Sequence, residues 1–167
     1  MMKKLSLLSL LVLTGFVFAA DAELPAFSEY SRVEHSGLQL QAIDFDSHPD
    51  ARNFRTRLEE NLGGYANFAG HFILTMWGCG TMCQQIALIE VETGKVFMPE
   101  EFVSSFGVCF KESSSLLIFN PVDKIFIDDM EGQIPAWFNV HYYHWNGSEA
   151  EHLLDTRQPV VEECEFF

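Results

Sequence analysis

The chain has 167 residues, with 24 acidic side chains against 10 basic ones and a formal charge of −14. Apolar residues make up 48 %, aromatics 14 % and charged residues 20 %, a composition that excludes a disordered tail. The acidity argues against recognition of a phosphate backbone, so no nucleic-acid partner is expected, and the length suits one domain.

Residues 1–22 read as a secretory signal peptide. Lys3 and Lys4 supply the basic start, residues 5–18 an apolar run, and Ala19, Ala20 and Ala22 the small residues for cleavage after Ala20 or Ala22. The run is about 14 residues long, short of the roughly 20 that a membrane-spanning helix needs. With no later apolar stretch of that kind, no membrane insertion is expected after cleavage. The mature chain, residues 23–167, would carry a charge of −16 or −15, depending on the cut. Such a field favours a basic partner or a divalent cation, and also simply keeps a protein in solution.

Residues 38–45 alternate apolar and polar side chains and predict a strand. Ser47 is placed to cap a helix, with Pro49 in its first turn and Asp50 completing the capping box. Ala51, Phe54, Leu58 and Leu62 share one helical face, Arg52, Arg55, Arg57, Glu59 and Glu60 decorate the rest, and Gly63-Gly64 ends it. Residues 71–77 and 85–91 predict two apolar strands around a cysteine-bearing turn, the second apolar on both faces. A turn at residues 92–95 leads to a strand over 95–98 and a short helix over 99–106. Strands follow over 108–111 and 116–119, then an aromatic strand over 137–145. Asn146-Gly147 is a hairpin signal, with the return strand over 149–154. The pattern predicts a mainly β (α+β) fold. One antiparallel, strongly curled sheet or a small sandwich would carry one N-terminal amphipathic helix.

Cys79, Cys83, Cys109 and Cys164 all lie in the predicted mature part, and an even number in an exported chain reads as two disulfides. Four cysteines allow three connectivities. The preferred one joins Cys79 to Cys83, where Gly78 and Gly80 allow a tight turn, and Cys109 to Cys164, which ties the tail to the sheet.

The densest segment is Asn67-Phe68-Ala69-Gly70-His71 followed by Trp77-Gly78-Cys79-Gly80-Thr81-Met82-Cys83-Gln84. It resembles a family of exported bacterial proteins with an N-F-A-G-H stretch followed by W-G-C-G-T-x-C-Q. The likeness covers residues 47–97 and includes the arginine-rich helix before and the T-G-K-V hairpin after. That family is uncharacterised, so the resemblance implies export and no activity.

For chemistry, the sharpest reading is a thiol enzyme in which Cys79 attacks and His71 acts as base. Exported L,D-transpeptidases use one cysteine after a glycine, but place Ser-His before it, where this chain has Met76-Trp77. A redox pair would carry two residues between its cysteines, and here three intervene. His141 and His144 would point to opposite faces of a strand and could not chelate together. Asp123, Asp128, Asp129 and Glu131 lack calcium-loop spacing, and Ser113-Ser114-Ser115 reads as a turn. No metal and no cofactor is expected. Asn67 and Gln84 are expected to brace the cysteine turn, Trp77 to pack over the Cys79–Cys83 bridge, and Thr81 to join them in a rigid binding loop. The expected function is that of an exported, non-catalytic binding module, periplasmic or secreted. Its ligand would be a basic protein or cell-envelope component, as for an inhibitor or immunity-type protein of a basic wall hydrolase. The alternatives are the Cys79–His71 envelope enzyme and a purely structural envelope component.

Overall fold

The structure, a computed structural model, describes residues 23–32, 34–130, 134–160 and 164. The predicted signal segment lies outside the described residues. The chain is mainly β and forms two antiparallel sheets. In the first, β1 (Phe72–Gly80) and β2 (Cys83–Glu90) make a hairpin paired from Phe72↔Glu90 to Gly80↔Cys83. The other edge of β2 is shared by two short strands. β3 (Val96–Phe97) pairs at Leu88 and Ile89, and β4 (Val103–Ser104) pairs at Gln84 and Gln85. The second sheet runs β5 (Val108–Cys109), β6 (Leu116–Phe119), β7 (Val140–Trp145) and β8 (Ala150–Thr156), in that order.

Alternation along the strands decides which side chains meet. Phe72, Leu74, Ile86 and Leu88 of the first sheet share one core with Leu117, Phe119 and Trp145 of the second, closed by Phe68, Phe102 and Phe110. The opposite face of the first sheet presents Ile73, Trp77, Ala87 and Ile89, covered by Leu40, Ala51, Leu58 and Phe54. The opposite face of the second presents Leu116, Ile118, Val140 and Tyr142, covered by Phe27, Val122 and Phe138. Both sheets are therefore apolar on both faces, which is why β2 and β6 read as unbroken hydrophobic runs.

The cover on the first sheet is a turn of 3-10 helix, Ala51–Phe54, running into α1 (Arg55–Glu59). It is shorter than the helix expected from Ser47 to Gly63. Ser47 does not cap it: its hydroxyl donates to the Asp44 carbonyl and accepts from the Val96 amide. At the far end the Asn61 side chain donates to the Arg57 and Leu58 carbonyls, which stops the helix and leaves Leu62 exposed. Residues 38–45 form no strand, only single bridges of Gln39 to Tyr65 and Asp44 to Lys95. Residues 99–106 form no helix. The edge of β2 beyond β3 needs a backbone partner, and the Phe102 carbonyl and β4 provide it, the former accepting from the Ile86 amide at 2.9 Å. The acidic stretch after Asn120 contains α2 (Lys124–Asp129), capped by Asp123, whose carboxylate accepts from the Phe126 amide at 2.7 Å.

Both preferred disulfides are present. Cys79 and Cys83 lie 5.1 Å apart between Cα atoms, and Cys109 and Cys164 lie 5.0 Å apart. The second closes a 55-residue separation. Chain entropy assigns it about 4 kcal/mol, against about 2 kcal/mol for the five-residue loop of the first.

One main-chain crossing fixes the N-terminal segment. The Arg32 amide donates to Ser113 O and the Ser36 amide to Gly70 O at 2.9 Å, so the N-terminal segment forms a strap that passes Ser113 at Arg32 and crosses Gly70 at residues 34–36. Gly70 has φ +73°, and a Cβ built there would stand 2.1 Å from the Glu34 carbonyl oxygen. Gly63 has a similar φ of +80° with nothing within 4 Å. Gly63→Ala should therefore carry only the left-handed backbone term, about 1 kcal/mol. Gly70→Ala must also displace the strap and should lose at least about twice that, as read by urea unfolding of both variants.

Candidate functional site

The β1–β2 hairpin ends in a two-residue loop, Thr81-Met82, between paired Gly80 and Cys83. The register slips between Gly78 and Gly80, which bulges Cys79 out of the ladder and brings it to Cys83. Gly80 adopts φ +144° and Met82 φ +52°. Glycine suits such a backbone, whereas a methionine in the left-handed region loses about 1 kcal/mol. The Met82 side chain is nevertheless 54 % exposed. The tip thus presents an apolar side chain on a cross-linked, strained turn. Val103 and Phe106 are also exposed, on the β4 segment whose antiparallel register runs toward the tip.

Of the four expected binding residues, only Thr81 sits exposed at this tip. Trp77 is 8 % exposed and packs against Phe54, ring centroids 5.0 Å apart, under the helical cover. Its place in the strand alternation puts it on the face that the helix buries. Asn67 does brace β1, but well away from the tip. Its Oδ1 accepts from the Leu74 amide at 2.7 Å and its Nδ2 donates to the Leu74 carbonyl at 3.1 Å, so a side-chain amide stands in for a neighbouring strand. Gln84 braces nothing among the described residues, and its Oε1 is buried without a donor. Gln85 does the bracing instead, donating to the Ile86 and Phe102 carbonyls at 3.2 Å each. Met82 was not singled out in the sequence, where nothing distinguishes it from a core methionine.

The Cys79–His71 pair is not assembled. All four cysteines are bonded, so Cys79 carries no thiol. His71 stands just before β1, eight residues from Cys79, or about 26 Å along an extended strand.

At its own end of β1, His71 lines an open cleft of about 480 Å³ with Arg32, Glu34, Phe72, Trp145 and Asn146. The strap forms one wall and the β7–β8 turn the other. Arg32 Nη2 lies 3.4 Å from His144 Nε2, and His144 Nδ1 lies 3.2 Å from Glu151 Oε2. The set suits an imidazole that donates from Nδ1 to Glu151 and accepts from Arg32. Hydrogen bonds from Asn146 and His144 hold the Glu151 carboxyl below its ordinary range. Arg32 had no sequence signal, because its contacts depend on residues more than a hundred positions away.

His141 and His144 lie on opposite faces of β7, as strand alternation requires: His141 pairs with Asp155 and His144 with Glu151. His141 Nδ1 and His152 Nε2 both reach Asp155 Oδ1, at 2.8 and 2.7 Å. Burial raises the Asp155 carboxyl, but hydrogen bonds from His152 and His141 and their charge outweigh it, so the net shift is downward. Burial, then the charges of Asp155 and Glu101, push the Tyr143 phenol up. Of the acidic cluster, Asp123 caps α2, Asp128 pairs with Lys124, and Glu131 lies outside the described residues. Ser114 follows the turn at residues 112–113 and forms a single bridge to Ser31, and its hydroxyl donates to the Phe27 carbonyl at 3.0 Å. Among the described residues, no cluster of three or more His, Cys, Asp or Glu is placed to hold a metal ion, and no helix is long and apolar enough to cross a membrane.

Compared with family models, with curated proteins and with solved structures, the chain finds no match. The resemblance of residues 47–97 rests on the quoted motifs alone.

A carboxyl whose folded pKa is depressed contributes stability above its unfolded pKa and loses it as pH falls through the folded value. Asp155 should therefore contribute fully from neutrality down to about pH 4 and lose its contribution below that. Asp155→Asn should be less stable than the parent at pH 6, and the gap should close by about pH 2 in denaturant unfolding followed across pH.

Proposed function

We propose that the protein is an exported, non-catalytic binding module whose stapled β1–β2 tip contacts a basic protein in the periplasm or outside the cell. An inhibitor or immunity-type protein acting on a basic wall hydrolase is the form this reading takes. The observation that carries it is Met82: a half-exposed apolar side chain, at φ +52°, held between the bonded Cys79 and Cys83. Strained backbone kept in place by a cross-link is a feature of binding and active-site loops. Rigidity also lowers the entropy lost on association. The two disulfides suit an oxidising compartment. The charge of −14 suits a basic partner through electrostatic steering.

The experiment uses the mature protein purified from an oxidising compartment. No thiol should titrate under denaturing, non-reducing conditions, and a reactive thiol at Cys79 would favour the enzyme instead. A panel of basic wall hydrolases should contain one that is bound and inhibited, with an association rate that falls as salt rises. Met82→Gly relieves the backbone and should leave stability equal or slightly raised while weakening that binding at least about tenfold. Retained binding by Met82→Gly, or no bound hydrolase at low salt, would reject the proposal.

A further inference from the structure

We propose that the cleft between the N-terminal strap and the β7–β8 turn is a separate site for a small monocarboxylate, held by Arg32 and His71. Arg32 is the arginine whose guanidinium no oxygen acceptor meets among the described residues. Among the described residues, the other arginines all have oxygen acceptors. Arg52 meets Asp46, Arg55 meets Glu59, Arg57 meets Glu60, and Arg157 donates to the Ile134 and Pro135 carbonyls. Arg32 meets only an imidazole nitrogen, His144 Nε2. That contact uses one of five guanidinium N–H donors and neutralises no charge. It orients the side chain, because His144 is itself tied to Glu151 and lies against the Tyr30 ring, centroids 5.1 Å apart.

His71 is the second group. It is half-buried, its carbonyl accepts from the Val91 amide at 2.9 Å, and its imidazole has no hydrogen-bond partner among the described residues. A guanidinium with two parallel donors free matches the two oxygens of a carboxylate, and an imidazole can add a third donor. The volume falls within the range of small-ligand sites. The floor is Phe72 and Trp145, the latter 1 % exposed with its indole N–H buried and unpaired. The backbone makes the site rigid: the strap is seated on Gly70, and the Asn146 side chain accepts from the Ser148 and Glu149 amides across the turn.

The charge of the ligand follows from the surroundings. Glu34 lines the same cleft, in a chain of formal charge −14. A second negative charge on the ligand would meet Glu34 and the field of the whole molecule. One carboxylate is accommodated, whereas a phosphate dianion or a tricarboxylate is disfavoured. The cleft shares no side chain with the tip, which lies at the other end of β1.

The test is a titration of the ¹⁵N-labelled mature protein with benzoate, acetate, inorganic phosphate and citrate, followed by amide and indole NMR. Benzoate and acetate should produce saturable displacements at the Trp145 indole, Asn146 and Gly147, with affinity of about millimolar for benzoate. Phosphate and citrate should bind at least about tenfold more weakly. Arg32→Gln should weaken benzoate at least about tenfold while the resonances of the β1–β2 tip and the unfolding midpoint stay where they are. Glu34→Gln should narrow the gap between phosphate and benzoate. Met82→Gly should leave benzoate binding as it was. Non-saturable shifts, equal benzoate affinity in Arg32→Gln, or phosphate as tight as benzoate in the parent would overturn the assignment.

Discussion

The structure depends on one packing constraint, the burial of both sheets on both faces. β1 and β2 send Phe72, Leu74, Ile86 and Leu88 into the shared core and Ile73, Trp77, Ala87 and Ile89 outward, and all eight are buried. The outward set would form an exposed apolar patch without a cover. The helical turn at Ala51–Glu59 supplies that cover, and the segment around Phe27, Val122 and Phe138 does the same for the second sheet. Short covers have little stability of their own. They are held by specific devices: Asn61 at the helix end, the Gly70 crossing under the strap, and the bond of Cys164 to buried Cys109.

That constraint also locates the surfaces left for binding. A sheet covered on both faces offers a partner its edge strands, its ends and its strand connections. Two such places, the Met82 tip and the Arg32–His71 cleft, sit at opposite ends of β1. Nine residues of strand separate them, about 30 Å. Sites that far apart with no shared side chain are expected to behave additively.

Much of the strand pattern was legible because the signals were local. The apolar run 86–89, the Gly94 turn with φ +73° and the Asn146-Gly147 turn each announce themselves within a few residues. Both disulfides match the pairing preferred among three from tight-turn glycines and a tail that needs an anchor, a choice the cysteine count alone leaves open. The failures were those of partners set by distant chain. Residues 38–45 alternate like a strand but find only single bridges, because the neighbouring sheet edge is already taken by β3 and β4. Residues 99–106 look helical in isolation, yet the amide of Ile86 requires the Phe102 carbonyl. At the site, Trp77 lies on the covered face of β1 and Gln84 Oε1 is buried, because polarity and size do not reveal which face of a strand is covered, while Asn67 serves the Leu74 backbone from the loop before β1.

The charge distribution carries the last step. An excess of acid is usually described by its total, but its effect depends on which bases remain available. Arg52, Arg55, Arg57 and Lys124 are each spent on a nearby carboxylate in pairs of the exposed, weakly stabilising kind. Those pairs cancel positive charge locally and leave the net field negative over most of the surface. Arg32 is treated differently: its neighbour is an imidazole whose other nitrogen faces Glu151, so the carboxylate is one ring away from the guanidinium. Neutralisation is replaced by orientation. In an otherwise acidic protein, that is what recommends the strap end of β1 as the monocarboxylate site proposed above. In the binding role proposed for it, the tip end, with its exposed methionine, would meet a protein surface by shape and by the attraction of the whole acidic domain.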